Sequence, residues 1–126
     1  MNKEDLKNYL AVRRQGWPYE ESYHVDSMGS HRFVAKAGEE LAGLSYAELS
    51  EDGKSAVMRM NLKKQYAEYG IGTELLEILM DDLQSSGLET IRYEISRDHY
   101  AYQIYHNLGF EVESQDLDTV RFIWRQ

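Results

Sequence analysis

Apolar and polar positions alternate between residues 32 and 62, whereas between residues 71 and 83 the apolar ones recur every fourth place. The period of the pattern thus changes soon after Leu62. The alternating part predicts strands at residues 32–37, 41–49 and 55–62, joined by Gly38, Glu39 and Glu40 and by the turn Glu51-Asp52-Gly53, an antiparallel meander. In the third of these, Ala56, Met58, Met60 and Leu62 share one face, while Val57, Arg59 and Asn61 take the other. Ile71, Leu75, Leu79 and Leu83, with Glu74, Glu77, Asp81 and Asp82 interspersed, predict an amphipathic helix closed by Gly87. Alternation returns at Ile91, Tyr93 and Ile95. A short helix then carries Ala101, Ile104, Tyr105 and Leu108 on one face with Gly109 past its end, and residues 110–113 and 119–124 close the chain as strands. Upstream, residues 2–15 read as a helix capped by Asn2 and ended by Gly16, Trp17 and Pro18, with Leu6, Tyr9 and Leu10 on one face. Residues 19–30 show no clear period and receive no element, although a short strand or helical turn around residues 23–25 fits. The strand–helix–strand crossover from Leu62 to Ile91 implies a parallel pair. The expected fold class is α+β, an α/β mixed sheet flanked by helices, in one domain spanning residues 1–126.

Composition then narrows the chemistry. Over 126 residues, 14 Lys and Arg stand against 22 Asp and Glu, a net charge of -8. Nucleic-acid phosphates are held by concentrated Lys and Arg, so the acidic balance argues against a general nucleic-acid binder. With no Cys in the sequence, disulfide scaffolds, thiolate metal sites and a cysteine nucleophile are excluded too. His99 and His106 would share a helix face about 10 Å apart, too far for one ion, so no metal is expected. The N-terminus is charged from Lys3 onward and lacks the apolar core of a secretory signal, and no apolar run approaches membrane-spanning length. A soluble, cytoplasmic protein is expected, with no membrane partner.

Two motifs carry candidate chemistry. Tyr69-Gly70-Ile71-Gly72-Thr73 stands between a strand end and a helix start. Glycines there permit positive φ and close backbone approach, and the first N–H groups of a helix form an anion site, so the turn can hold a pyrophosphate. A plain helix-start turn is the other reading. No Gly-Lys-Ser/Thr follows and a third glycine is missing, which disfavours both a Walker loop and a dinucleotide fold. The second motif is AYQIYHNLGF at residues 101–110, in which Tyr105 lies on the inward helix face just before a Gly109-Phe110 break.

The order of meander, G-x-G helix, strand and a helix ending in Tyr-x-x-Leu-Gly-Phe resembles the GNAT superfamily of N-acetyltransferases over about residues 32–126. That family's coenzyme A signature, Gln/Arg-x-x-Gly-x-Gly/Ala, falls on Ala67, Glu68, Tyr69, Gly70, Ile71 and Gly72, with Thr73 next. Both glycines match and Ala67 departs. Glu68, where many members carry glycine, sets a carboxylate near an anionic ligand, which Lys63 and Lys64 just upstream would offset. The resemblance implies an acyl-CoA N-acyltransferase fold with acetyl-CoA as co-substrate, its pantetheine arm lying along the main chain of Met60, Asn61 and Leu62. The Leu62 amide would face the thioester oxygen and stabilise the developing oxyanion. Asp98 would contact the pantetheine or cap the following helix. Tyr105 matches the tyrosine that contacts the cofactor and protonates the departing thiolate.

A base is needed for the amine. The third strand, where several members carry a glutamate, offers Ser55, Val57, Arg59 and Asn61 instead. Glu94 resembles the glutamate of the ribosomal-protein alanine N-acetyltransferase branch and is the candidate base, an ordinary surface carboxylate being the alternative. The implied activity is direct transfer of acetyl to an amine within a ternary complex. A module without catalysis, sensing acyl-CoA or binding a protein partner, is the rival that Ala67, Glu68 and the absent third-strand glutamate favour. The net charge and Glu48, Glu94 and Asp98 imply a small cationic amine or a protein or peptide amino group as acceptor. A homodimer through the two closing strands is left open.

Overall fold

Alternation is realised as strands almost residue for residue. The computed structural model describes residues 4, 8, 11, 24–97 and 102–126, with the backbone alone described at 67–69 and 102–104. The strands are β1 (His24–Ser27), β2 (Arg32–Ala37), β3 (Glu40–Leu49), β4 (Ser55–Leu62), β5 (Thr90–Ser96), β6 (Glu111–Gln115) and β7 (Thr119–Arg125), and the helices are α1 (Ile71–Ser85) and α2 (Tyr102–Asn107). They build a seven-stranded sheet in the order β1-β2-β3-β4-β5-β7-β6. The sheet is mixed, because β4 and β5, joined through α1, pair in parallel whereas β5–β7 and β6–β7 are antiparallel. Of the helix expected at residues 2–15, Glu4, Asn8 and Ala11 are helical and exposed, and the rest lies outside the described residues. Among the described residues, no helix is long and apolar enough to cross a membrane.

Contacts divide the chain into two compact units, Met1–Tyr46 with Met60–Leu79 and Ala47–Arg59 with Met80–Gln126. In the first, β1 adds to the meander, antiparallel to β2 from His24 opposite Lys36 to Ser27 opposite Phe33. Its four residues bury only Val25, so it has no hydrophobic period of its own and is held by β2. Between β2 and β3 the register shifts: Ala35 faces Gly43 but Lys36 faces Leu41, which makes Ala42 a bulge residue. Gly43, next to it, is pressed close to β4. A Cβ on Gly43 would stand 2.9 Å from Leu62 Cδ1 and 3.0 Å from the Asn61 carbonyl oxygen, so a side chain there would push on the end of β4. The buried Ser45 hydroxyl donates to the Leu75 carbonyl at 3.1 Å. Ile71, Leu75, Ile78 and Leu79 are buried on the helix, as the fourfold repeat predicts. The same helix also buries Glu74, a position the repeat assigns to its polar face.

The second unit packs the aromatic residues. Ala56 and Met58 of β4, Ile91 and Tyr93 of β5, Phe110, and Val120 and Phe122 of β7 are buried. The parallel ladder runs from Ser55 opposite Thr90 to Met58 opposite Tyr93. It stops there, although β4 continues to Leu62 and β5 to Ser96. Strand β6 forms an edge, all five of its residues exposed, with a register shift between Val112 and Ser114.

Candidate active site

The first unit contributes main-chain geometry. After β4 the chain takes a 3-10 turn at Lys64–Tyr69 and ends it with Gly70 at φ 74, a left-handed conformation that a Cβ disfavours. Helix α1 begins at the next residue, and the Glu74 N–H donates to the Gly70 carbonyl at 3.1 Å. Gly72 is buried in the first turn. A Cβ on it would lie 3.3 Å from Leu62 Cδ2 and 3.4 Å from Met60 Sδ, so this glycine seats the helix against the two β4 side chains. Its role is helix–strand packing as much as approach to a ligand.

The turn that leads into the loop is tied to a single carboxylate. Glu40, at the start of β3, accepts from Tyr66 Oη at 2.8 Å, Gln65 Nε2 at 3.0 Å and Lys63 Nζ at 3.2 Å. The Tyr66 hydroxyl, then Lys63, hold the Glu40 carboxyl below the ordinary carboxylate range. Lys63, expected to offset Glu68, is therefore engaged by Glu40.

Main-chain direction at the end of β4 follows from one bond. The Lys63 N–H donates to the Ala42 carbonyl at 2.9 Å, towards β3. Donors alternate along a strand, so the amides of Leu62 and Met60 point to the opposite edge. Beyond Met58 that edge has left the ladder with β5. A thin extended ligand can pair with it as an added strand would.

In the second unit, Tyr105 is buried, with its ring 4.8 Å from that of Phe122 and 5.8 Å from that of Tyr93. Burial pushes the Tyr105 phenol above its usual value, and burial followed by the neighbouring Tyr105 pushes Tyr93 higher still. Both phenols are therefore neutral at physiological pH. The end of α2 is fixed by the Tyr105 carbonyl, which accepts from the N–H groups of Leu108 at 3.2 Å and Phe110 at 3.0 Å. Gly109 follows at φ 94, with a Cβ position 3.1 Å from Trp124 Cδ1. The Gly-Phe break thus turns the chain tightly under an aromatic ring.

The opposite face of the same strands is charged. Glu94 accepts from Arg121 Nε at 2.7 Å, which raises the Arg121 pKa further. Arg92 Nε donates to Glu113 Oε1 at 3.0 Å and its Nη2 to Oε2 at 3.2 Å, which holds the Glu113 carboxyl down. Arg59 stands 3.7 Å from Glu48. Among these side chains lies a cleft of about 310 Å³, lined by Val57, Arg59, Arg92, Glu94, Glu113 and Arg121 together with Tyr93.

A family model for the acetyltransferase (GNAT) domain matches residues 10–121. The chain belongs to the GNAT acetyltransferase family. Solved members of this fold superpose over most of the chain. The ribosomal-protein-S18-alanine N-acetyltransferase of Escherichia coli gives a TM-score of 0.62 at 18% identity, covering 99% of this chain and 90% of that one. A Bacillus subtilis acetyltransferase in complex with CoA gives 0.61 at 16% identity, covering 100% and 94%. Nourseothricin acetyltransferase gives 0.60 at 16% identity over 75% of this chain, which spans 64% of that enzyme's length. Among curated proteins none matches the sequence.

The expected GNAT residues divide between the units. Met60, Asn61, Leu62, Gly70, Ile71, Gly72 and Thr73 lie in the first, as do Ala67, Glu68 and Tyr69, described by backbone alone in the 3-10 turn. Tyr105 and Glu94 lie in the second. Asp98 and His99 lie outside the described residues. Among the described residues, no cluster of His, Asp or Glu is arranged to hold a metal. Sequence reasoning passed over Glu40, Gly43, Tyr93 and Arg121. Of these only Gly43, a lone glycine inside a strand pattern, carries a local signal.

Proposed function

We propose that the protein is an acetyl-CoA-dependent N-acetyltransferase that moves acetyl directly from coenzyme A to an amine. The carrying observation is the early end of the β4–β5 ladder at Met58 and Tyr93, while β4 runs on to Leu62 with the Met60 and Leu62 amides turned away from β3. Those amides fit an extended pantetheine arm. The glycine turn and the N-terminal amides of α1 fit its phosphate end without requiring particular side chains at Ala67 or Glu68.

In this reading the Leu62 N–H holds the thioester oxygen as it gains charge. The amine nitrogen bonds to the carbonyl carbon, the carbon–sulfur bond breaks, and the Tyr105 phenol gives its proton to the departing thiolate. A phenol kept neutral by burial is in the protonation state this step requires. Glu94 takes the proton lost by the amine. The Arg121–Glu94 pair favours a second reading, in which the fold senses acyl-CoA without catalysis, because the carboxylate oxygen that would take the amine proton is already engaged by a guanidinium.

Thiol release from acetyl-CoA over a panel of amines, followed with a thiol-reactive dye, separates the two. Amine-dependent release with a matching acetylated product supports the transferase. Tight coenzyme A binding without release on any amine supports the sensor. The cell's cytoplasm, where acetyl-CoA is available, is the proposed location.

A further inference from the structure

Glu48 and Glu94, the carboxylates that suggest a cationic acceptor, both have arginine neighbours. Arg59 stands 3.7 Å from Glu48, and Arg121 bonds to Glu94 at 2.7 Å. The cleft beside Glu94 is lined by Arg59, Arg92 and Arg121 against Glu94 and Glu113. Three arginines against two carboxylates line it, and Glu48 stands beside Arg59 at its margin, so the cleft is close to neutral in a chain whose net charge is -8. The arginines are concentrated here against the acidic balance of the whole. The three arginines come from β4, β5 and β7 and converge on one open face, above the half-buried Val57.

We propose that this cleft receives the anionic part of the acceptor, so that the preferred substrate is an amine that also carries a carboxylate: an acidic amino acid, or an amino terminus followed by acidic residues. This rests on the transferase reading above and narrows it. The volume of about 310 Å³ accommodates one amino acid or the first two residues of a peptide. Guanidinium groups pair with carboxylates bidentately, and both oxygens of an incoming carboxylate can be matched here. Two of the pairs are exposed: the Arg59 and Glu48 side chains are 47% and 59% accessible and 3.7 Å apart, beyond hydrogen-bond length, and Arg121 and Glu94 are 57% and 41% accessible. An acceptor carboxylate that takes Arg121 also releases Glu94 to face the amine. A purely cationic acceptor would have to displace a guanidinium from Glu94 or Glu113 to reach a carboxylate.

The test uses the full chain. Rates of thiol release are measured with glutamate, with a dipeptide beginning Ala-Asp, with its Ala-Lys counterpart and with the diamine putrescine, at low and at high salt. The expected result is that kcat/KM for the better acidic acceptor exceeds that of the cationic ones by about tenfold or more and falls with salt. Arg59→Gln and Arg121→Lys are expected to erode that preference. Glutamate ahead of Ala-Asp identifies a free amino acid, and the reverse order identifies a peptide terminus. Cationic acceptors turned over faster, or a preference untouched by either substitution, would overturn this inference while leaving the transferase standing. If no amine is turned over, the transferase reading fails, and calorimetry with the Ala-Asp peptide still decides the cleft. Binding weakened by Arg59→Gln upholds an acidic-ligand site, and no binding refutes it.

Discussion

The two units of the chain offer different groups to a ligand. The first presents backbone: the outer edge of β4, a left-handed Gly70, and a helix start packed on Met60 and Leu62. The second presents side chains, with an aromatic cluster around Tyr105 on one face of its strands and paired arginines and glutamates on the other. Main-chain recognition tolerates sequence departures such as Ala67 and Glu68, because amides remain amides whatever side chain they carry. Side-chain chemistry has no such tolerance. A substitution in the first unit should therefore matter through shape and charge near the loop, and in the second through the particular group removed.

The largest effect is expected from Gly72→Asp. Its Cβ meets Leu62 and Met60 and its carboxylate sits at a helix N-terminus, where it suits the helix but repels an anionic ligand. Acetyl-CoA affinity should fall beyond calorimetric detection while circular dichroism remains native. Unchanged affinity would remove the loop from the site. Tyr105→Phe comes next: kcat is expected to drop about a hundredfold with coenzyme A affinity nearly kept, as for loss of one proton donor. A wild-type kcat would leave Tyr105 as core packing alone.

Alkaline pH probes the same aromatic cluster through stability. Tyr93 and Tyr105 titrate above their ordinary value of 10.0 in the native state. Above that pH the unfolded chain releases protons that the folded chain retains, so the contribution of these two tyrosines is constant below it and stability declines as pH rises beyond it. Melting temperatures followed into the alkaline range should show this decline, and Tyr93→Phe should soften it. In the first unit, Glu40→Gln should raise the Kd for acetyl-CoA several-fold, on the order of one lost charged contact, with kcat barely altered. The lowered Glu40 pKa has a matching signature: affinity holds at neutral pH and falls as acid protonates this carboxylate below the usual range. The smallest effect belongs to Glu113→Gln, whose exposed partner Arg92 is rewetted at once. Its melting temperature should match the wild type, and a clear loss would mean that the charged face carries stability after all.

Much of the fold was legible because burial imposes a period. Ala56 and Met58, and Ile71, Leu75, Leu79 and Leu83, are buried where alternation and the fourfold repeat place them. Strand β1 escaped because His24–Ser27 contains one buried apolar residue, too few to show a period. The 3-10 turn at Lys64–Tyr69 escaped because its polar residues are organised by Glu40, more than twenty positions away. Pairings such as Arg92 with Glu113 depend on the shift in β6 register, which no local pattern announces. Site legibility followed the same division. Glycine spacing marks a candidate backbone site in one dimension, whereas the arginine partner of Glu94 belongs to β7 and is brought opposite it only by the sheet.

Strand β6 has a consequence of a different kind. A sheet margin with a regular row of free amides and carbonyls invites another chain to continue it, and stacked copies then grow into aggregates. Here Glu111 and Glu113 place carboxylates along that margin, and the shift between Val112 and Ser114 breaks the even spacing that a docking strand must match. Two copies brought together through this margin would face a ladder whose spacing does not match.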